Sequence, residues 1–324
     1  MALRDAIPTA WVFPGQGSQT VGMGKDLAEA FSTVAELYGR ADALLGFPLS
    51  RLCFEGPEDE LTRTENAQPA LLTTSVAVLL ALGCWLDEDG FLRRPAALPT
   101  PAFTAGHSLG EYTALVAAGA LSFPDALRLV RARGRLMAEA RAGGMAAVLG
   151  LEREALEEIC RAWEHAGPLV IANDNCPGQL VLSGALEALE AAMAQARARG
   201  AQRVIPLKVS AAFHSPLMEG AAAGLAPAIG QTAFQKAHVP VVANTDARLL
   251  REPEEIRREL LAQIVSPVCW TAGVRTMAAH GVQRFLEVGP GRVLSGLIRR
   301  TVPEAEVLCV GTLEQVQALR NAYG

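Results

Sequence analysis

Lysine is scarce in this chain of 324 residues. Only Lys25, Lys208 and Lys236 are lysine, so nearly all of the 29 basic side chains are arginine. Positive charge is also short overall. The formal net charge is −5, which argues against a nucleic-acid binder, whose affinity rests on neutralising phosphates. Paired cysteines are missing as well. Cys53, Cys84, Cys160, Cys176, Cys269 and Cys309 are scattered with no CxxC, a pattern that excludes a disulfide framework or a zinc site and suits reduced thiols in a cytoplasmic protein. No long apolar run exists either. The most hydrophobic stretch, Ala70–Leu86, is interrupted by Thr73, Thr74, Ser75 and Gly83, and a membrane helix needs about 20 apolar residues, so it reads as a buried core helix. The start of the chain holds Arg4, Asp5 and Pro8 in place of the apolar centre of a secretory leader, and none is expected. What the chain does have is apolar bulk. Half of its residues are hydrophobic and 19% are charged, enough for one large domain carrying a smaller one.

Short apolar segments alternate with helical ones. Thr9–Phe13 and Ala102–Ala105 read as strands, and Leu27–Leu45, Leu109–Ala118 and Pro124–Arg141 as helices, with a charged, proline-containing connector over Asp87–Pro101. That alternation predicts a parallel α/β sheet. After a hinge at Arg141–Gly144 the rhythm changes. Strands are expected at Met145–Leu151, Leu169–Asn173, Gln179–Ser183 and Arg203–Leu207, and helices at Glu152–His165 and Leu186–Arg199. The β-α-β-β-α-β order fits a ferredoxin-like module. The expected organisation is therefore a large α/β domain, 1–144 and 209–324, with a small ferredoxin-like domain inserted at 145–208. Val239–Ala243 and Arg284–Val288 are the strand candidates after the return.

Gly106-His107-Ser108-Leu109-Gly110 is a G-x-S-x-G sequence between a strand and a helix. A sharp turn there crowds its flanks, so glycine on both sides clears the space and pushes the serine outward. The following helix N-terminus offers N–H groups to a developing oxyanion. Ser108 is thus a nucleophile candidate, and it needs a base. His107 adjoins it but points elsewhere on such a turn. His165, His238 and His280 have polar surroundings. His214 lies where the chain returns to the large domain, and composition alone does not single it out.

Five segments in order carry a resemblance: Phe13-Pro14-Gly15-Gln16-Gly17-Ser18-Gln19, Gln68-Pro69-Ala70, Gly106–Glu111, Ala212-Phe213-His214-Ser215 and Glu287-Val288-Gly289-Pro290-Gly291. From about residue 9 to 314 the chain resembles the malonyl-CoA:acyl carrier protein transacylase family. The resemblance implies an α/β-hydrolase-like large domain with a ferredoxin-like small domain. It implies a ping-pong reaction in which serine takes malonyl from malonyl-CoA and passes it to the phosphopantetheine thiol of acyl carrier protein for fatty acid synthesis, with no cofactor. It further implies Ser108 as nucleophile, His214 as base, the backbone carbonyl of Gln263 orienting His214, and the backbone N–H groups of Gln16 and Leu109 as oxyanion hole. Since the Gln263 contact is main-chain, Gln263→Ala is expected to cost less than Ser108→Ala or His214→Ala. A departure from relatives is Cys176, where serine is common.

Malonyl carries a terminal carboxylate, and a buried pocket for it needs a fixed cation, best a bidentate guanidinium. Ala126, Val130, Arg133 and Met137 form one helical stripe, and Arg128, Arg131 and Arg135 another. Arg133 therefore faces inward, and the family's carboxylate-binding arginine falls on it. Phe213 is expected to narrow the pocket in favour of malonyl. Gln68 and the Asn173–Gln179 loop are expected to line the cleft. Arg128, Arg131, Arg292, Arg299 and Arg300 are candidates for a basic surface toward an acidic carrier protein or coenzyme A phosphates. No nucleic acid or membrane partner is expected, and the chain is expected to be a monomer. Competing readings are a trans-acting transferase loading polyketide synthase carrier domains, a serine esterase, and a non-catalytic carrier-binding subunit.

Overall fold

Thr9–Phe13 is an unbroken apolar-and-threonine run, and it forms β1 at the centre of the large sheet with all five residues buried. The computed structural model describes residues 7–140, 142–209 and 211–323. Its other strands are β2 (Trp85–Leu86), β3 (Leu92–Arg93), β4 (Phe103–Gly106), β5 (Gly144–Leu149), β6 (Leu169–Cys176), β7 (Gln179–Gly184), β8 (Arg203–Pro206), β9 (Val241–Val242), β10 (Leu249–Leu250), β11 (Arg284–Val288) and β12 (Glu306–Val310).

The large sheet runs β10-β9-β4-β1-β11-β12. Its neighbours are parallel except at the edge pair β9–β10. β1, β4 and β11 are buried throughout, as parallel strands covered on both faces must be. The helix Thr64–Ala81 packs under this sheet and is almost wholly buried. It begins six residues before the predicted start and stops at Ala81, since Gly83, at φ 101°, turns the chain into the β2–β3 hairpin. β2 takes the last two residues of the predicted helix, and β3 lies in the predicted connector. Pro69 sits inside the helix and cannot donate to the Glu65 carbonyl. The Arg131 guanidinium donates to that carbonyl instead, and to Asn66 Oδ1 at 2.8 Å.

The second sheet has the order β6-β7-β5-β8, antiparallel throughout. With helices Arg153–Trp163 and Leu186–Ala198 it makes the ferredoxin-like β-α-β-β-α-β unit around its own apolar cluster, including Val148, Leu156, Ile159 and Leu182. It is stitched to the large sheet's side. Asn173 forms a parallel bridge with Val268, the Asp174 N–H donates to the Val268 carbonyl at 2.9 Å, and the Val268 N–H to the Ala172 carbonyl at 2.8 Å.

Several expectations are corrected. Leu27–Leu45 is two helices, Lys25–Ala30 and Ser32–Leu45, because Phe31 adopts an extended backbone. Asn173–Gln179 is a hairpin, β6 running to Cys176 and a Pro177-Gly178 turn leading into β7. Cys176 is fully buried in an apolar cluster and lies away from the cleft. The hinge expected at 141–144 lies partly outside the described residues. Among the described residues, no helix is long and apolar enough to cross a membrane.

Candidate active site

The site is built on the turn between β4 and the helix Gly110–Ala117. Ser108 has φ 51°, in the left-handed region that costs a non-glycine residue about 1–2 kcal/mol. The crowding anticipated for the turn is present. A Cβ on Gly106 would lie 1.9 Å from the Gly110 carbonyl carbon, and one on Gly110 would lie 2.1 Å from the Phe13 oxygen. The turn is held from outside by Asn244. Its Oδ1 accepts from the Ser108 N–H at 2.7 Å and its Nδ2 donates to the Gly106 carbonyl at 2.8 Å.

Ser108 Oγ lies 2.8 Å from His214 Nε2. His214, at φ 57°, is buried and donates from Nδ1 to the Gln263 carbonyl at 2.8 Å. Gln263 is the last residue of the helix Pro253–Gln263. A helix end leaves its final carbonyls without intrahelical donors, so this one is free to fix the imidazole tautomer with Nε2 as the acceptor. Burial, and then the nearby Arg133 charge, push the His214 pKa down to about 3, against the partial support of the Gln263 carbonyl. His214 is therefore neutral across the physiological range.

Arg133 is 1% exposed, as its helical phase predicted. Nη1 donates to Gln68 Oε1 at 2.8 Å. Nη2 donates to Gln263 Oε1 and to Ser108 Oγ, each at 3.0 Å. Among the described residues Nε has no partner, and the guanidinium carbon lies 5.7 Å from the centre of the Tyr112 ring. Among the described residues, no carboxylate reaches it. Gln68 stands behind the guanidinium in the Thr64–Ala81 helix and does not reach the cleft wall.

The cleft over Ser108 has a volume of about 300 Å³ and is walled by Gln16, Leu109, Arg133, Asn173, Phe213 and His214, among others. It opens past Gln16, Thr62, Lys208 and Val209 into a wider mouth of about 1040 Å³ that also meets Arg63, Glu58 and Asp59. The N–H groups of Gln16 and Leu109 have no acceptor among the described residues, and both residues border the cleft. His107 turns away from Ser108. Its Nε2 pairs with Asn175 Oδ1 at 2.8 Å, and its ring meets Trp270 edge-on. His165, His238 and His280 are exposed and remote from this turn.

The basic surface expected from arginine is largely tied up. Arg128 pairs with Asp125, Arg131 repairs the Pro69 gap, and Arg299 donates to the Val307 carbonyl. Arg300 donates to Gln179 Oε1 and the Pro177 carbonyl, joining the two sheets' units.

Sequence reasoning missed Asn244 and Glu111. Glu111 was legible as an acid in the first turn of a buried helix. Its Oε1 accepts from the Asn244 N–H at 2.9 Å, and its Oε2 from Gln263 Nε2. Burial, and then the neighbouring Glu259, raise its carboxyl well above the usual range, opposed by these donors. The Gln263 side chain is also more than a spectator, since Nε2 donates to the Ser108 carbonyl at 2.9 Å.

A seryl hydroxyl on a strained strand–helix corner, a neutral histidine on it, and unpaired N–H groups beside it define a serine acyl-transfer site on an α/β sheet. The chain belongs to the acyl transferase domain family, whose pattern it matches over residues 10–320. It is 46% identical over 312 residues to the malonyl CoA-acyl carrier protein transacylase of Bacillus subtilis (strain 168), covering 95% of each chain. The crystal structure of the acyl-carrier-protein-S-malonyltransferase from Bartonella henselae superposes with a TM-score of 0.91 at 41% identity, over 98% of this chain and 99% of that one. A malonyl-transacylase in complex with its type II PKS acyl-carrier protein gives 0.89 at 40% identity, over 97% and 99%.

Proposed function

We propose that this chain is an [acyl-carrier-protein] S-malonyltransferase that moves malonyl from malonyl-CoA to the phosphopantetheine thiol of acyl carrier protein for fatty acid synthesis. The observation that carries the reading is Arg133, a buried guanidinium with no carboxylate partner among the described residues, whose Nη2 lies 3.0 Å from Ser108 Oγ. It meets the one group that distinguishes malonyl from acetyl.

In the first half-reaction Ser108 Oγ attacks the thioester carbonyl. The C–O bond forms, the proton passes to His214 Nε2, and the oxyanion is held by the N–H groups of Gln16 and Leu109. Collapse breaks the C–S bond, and His214 returns the proton to the coenzyme A sulfur. The second half-reaction runs in reverse with the carrier thiol as nucleophile. Phe213 closes the acyl pocket beside His214. The scheme uses side chains and backbone alone, without a cofactor. All of these groups come from one chain, so the scheme needs no residue from a second copy. All six cysteines are unpaired, which suits the cytoplasm.

Mixing the protein with malonyl-CoA and locating the adduct by peptide mass spectrometry tests the scheme. The adduct is expected on Ser108 and is expected to vanish on adding phosphopantetheinylated carrier protein. An adduct elsewhere, or none, overturns it. The likeness to a transacylase bound to a type II PKS carrier supports a second partner class. Comparing transfer rates to fatty-acid and polyketide carrier proteins decides between them.

A further inference from the structure

Arg133 is aimed by two glutamine amides, Gln68 Oε1 and Gln263 Oε1. An amide side chain has two ends of similar shape and opposite polarity, so something must set which end faces the guanidinium. On the Gln263 side, Nε2 faces two oxygens, the Ser108 carbonyl at 2.9 Å and Glu111 Oε2. Glu111 is in turn fixed because its other oxygen accepts from the Asn244 backbone N–H at 2.9 Å. On the Gln68 side, Nε2 donates to Thr64 Oγ1 at 2.9 Å and approaches Met137 Sδ at 3.5 Å. Thr64 has a single hydroxyl proton, and it donates that to Gln16 Oε1 at 3.0 Å. Its oxygen is thereby left as the acceptor that Gln68 needs.

From this arrangement we infer that Glu111 and Thr64 are specificity-determining positioning residues: from behind, they lock the two amide oxygens onto Arg133 and so hold its charge ready for a substrate carboxylate. Neither lines the cleft over Ser108; Glu111 is away from its mouth as well, and Thr64 borders only that outer mouth. The inference rests on the proposed role of Arg133 as the malonyl clamp.

Glu111→Gln keeps the shape and reverses one end. The Asn244 N–H cannot turn, so it keeps the remaining oxygen, and an NH₂ group then faces Gln263 Nε2. Relief requires Gln263 to flip, which points its own NH₂ at Arg133 and its oxygen at the Ser108 carbonyl. Thr64→Val removes the acceptor for Gln68, while Thr64→Ser keeps it.

The readout is the ratio of kcat/KM for malonyl-CoA over acetyl-CoA, since damage to the nucleophile or to folding lowers both terms and leaves the ratio. The ratio is expected to fall about a hundredfold in Glu111→Gln and about tenfold in Thr64→Val, the scale of one to two misplaced bonds to a charged group. Thr64→Ser is expected to retain it. An unchanged ratio in both Thr64→Val and folded Glu111→Gln overturns the inference. If Glu111→Gln fails to fold, the Val and Ser variants of Thr64 decide alone. Arg133→Ala measured alongside separates the two levels. A ratio unmoved by Arg133→Ala defeats the substrate reading, whereas a ratio lost in Arg133→Ala but kept in the outer variants defeats only this inference.

Discussion

Replacing Arg133 with alanine separates the substrate's charge from the rest of the reaction. In the free protein the guanidinium is desolvated, and among the described residues it is bonded only to two amide oxygens and the Ser108 hydroxyl, with Nε unpartnered. A malonyl carboxylate entering the cleft supplies the missing anion. Each hydrogen bond between charged groups contributes about 1.5–3 kcal/mol, so a two-bonded clamp is worth about 3–6 kcal/mol, or about 10²–10⁴-fold in kcat/KM. Acetyl-CoA gains nothing from the clamp. It must instead leave a buried cation facing a methyl group, so its rate is expected to hold or rise in Arg133→Ala. The lost Nη2 bond to Ser108 Oγ affects both substrates alike and cancels in their ratio.

The assay is acylation of Ser108, followed by rapid quench and intact-protein mass spectrometry, with malonyl-CoA and acetyl-CoA in parallel. Arg133→Lys is the informative partner. Its ammonium keeps the charge but offers no planar fork to hold two amides and a carboxylate at once, so it is expected to recover only part of the preference. A malonyl-to-acetyl ratio in Arg133→Ala equal to that of the parent would refute the reasoning, whatever happens to the absolute rates.

Gln263→Ala keeps the main-chain carbonyl that orients His214 but removes three side-chain contacts, to Arg133, Ser108 and Glu111. Its kcat/KM for malonyl-CoA is expected to fall about 10²-fold, short of the about 10⁴-fold or greater loss expected for Ser108→Ala and His214→Ala; steady-state kinetics of the three variants check the order. Because His214 is held neutral down to about pH 3, kcat/KM for malonyl-CoA is expected to stay level from neutral pH into the mildly acidic range. Arg133→Ala, which removes the second cause of that depression, should move the acid limb of the acetyl-CoA profile upward. The same depression works against the fold in acid: the unfolded chain takes up this proton near the ordinary histidine pKa of 6.5 and the native one only near 3, so His214 subtracts stability progressively as pH falls through that window, visible as a declining denaturant midpoint. Gly110→Ala places a Cβ 2.1 Å from the Phe13 oxygen and is expected to cost about 3 kcal/mol or to prevent folding, measured by thermal unfolding.

What the sequence made legible follows physical signal strength. β1 and β11 fell where expected because each is a continuous run buried on both faces. β10 and β12 were missed at the sheet's two edges; β10 is two residues long and leaves no pattern, whereas β12 carries the apolar run Val307–Val310 and was legible. The phase of Arg133 was readable because helical periodicity is local. Asn244 was not readable. Its position depends on β9 lying beside β4 with Ala105 opposite Val242, a register that carries the chain past β9 to the Ser108 turn and that no short-range pattern encodes. The left-handed backbone of His214 was hidden for a similar reason: Ser215-Pro216 signals a turn nearby, but no glycine marks the position itself.

The choice of glutamine around Arg133 has its own logic. A carboxylate at position 68 or 263 would satisfy the guanidinium better in the free protein, and a buried pair of that kind is costly to open. It would also cancel the charge that the substrate must find, so malonyl would have to displace an internal rival. An amide oxygen accepts the same N–H and leaves the charge unspent. The nearest carboxyl group in this network, Glu111, is set one side chain further back, behind the Gln263 amide. There it orients the amide without competing for the guanidinium's open edge. On this argument, introducing the rival directly, as Gln68→Glu, raises KM for malonyl-CoA steeply while stabilising the fold or leaving it unchanged. A variant that lost stability and kept its KM would show that the amides serve packing and not the substrate's charge.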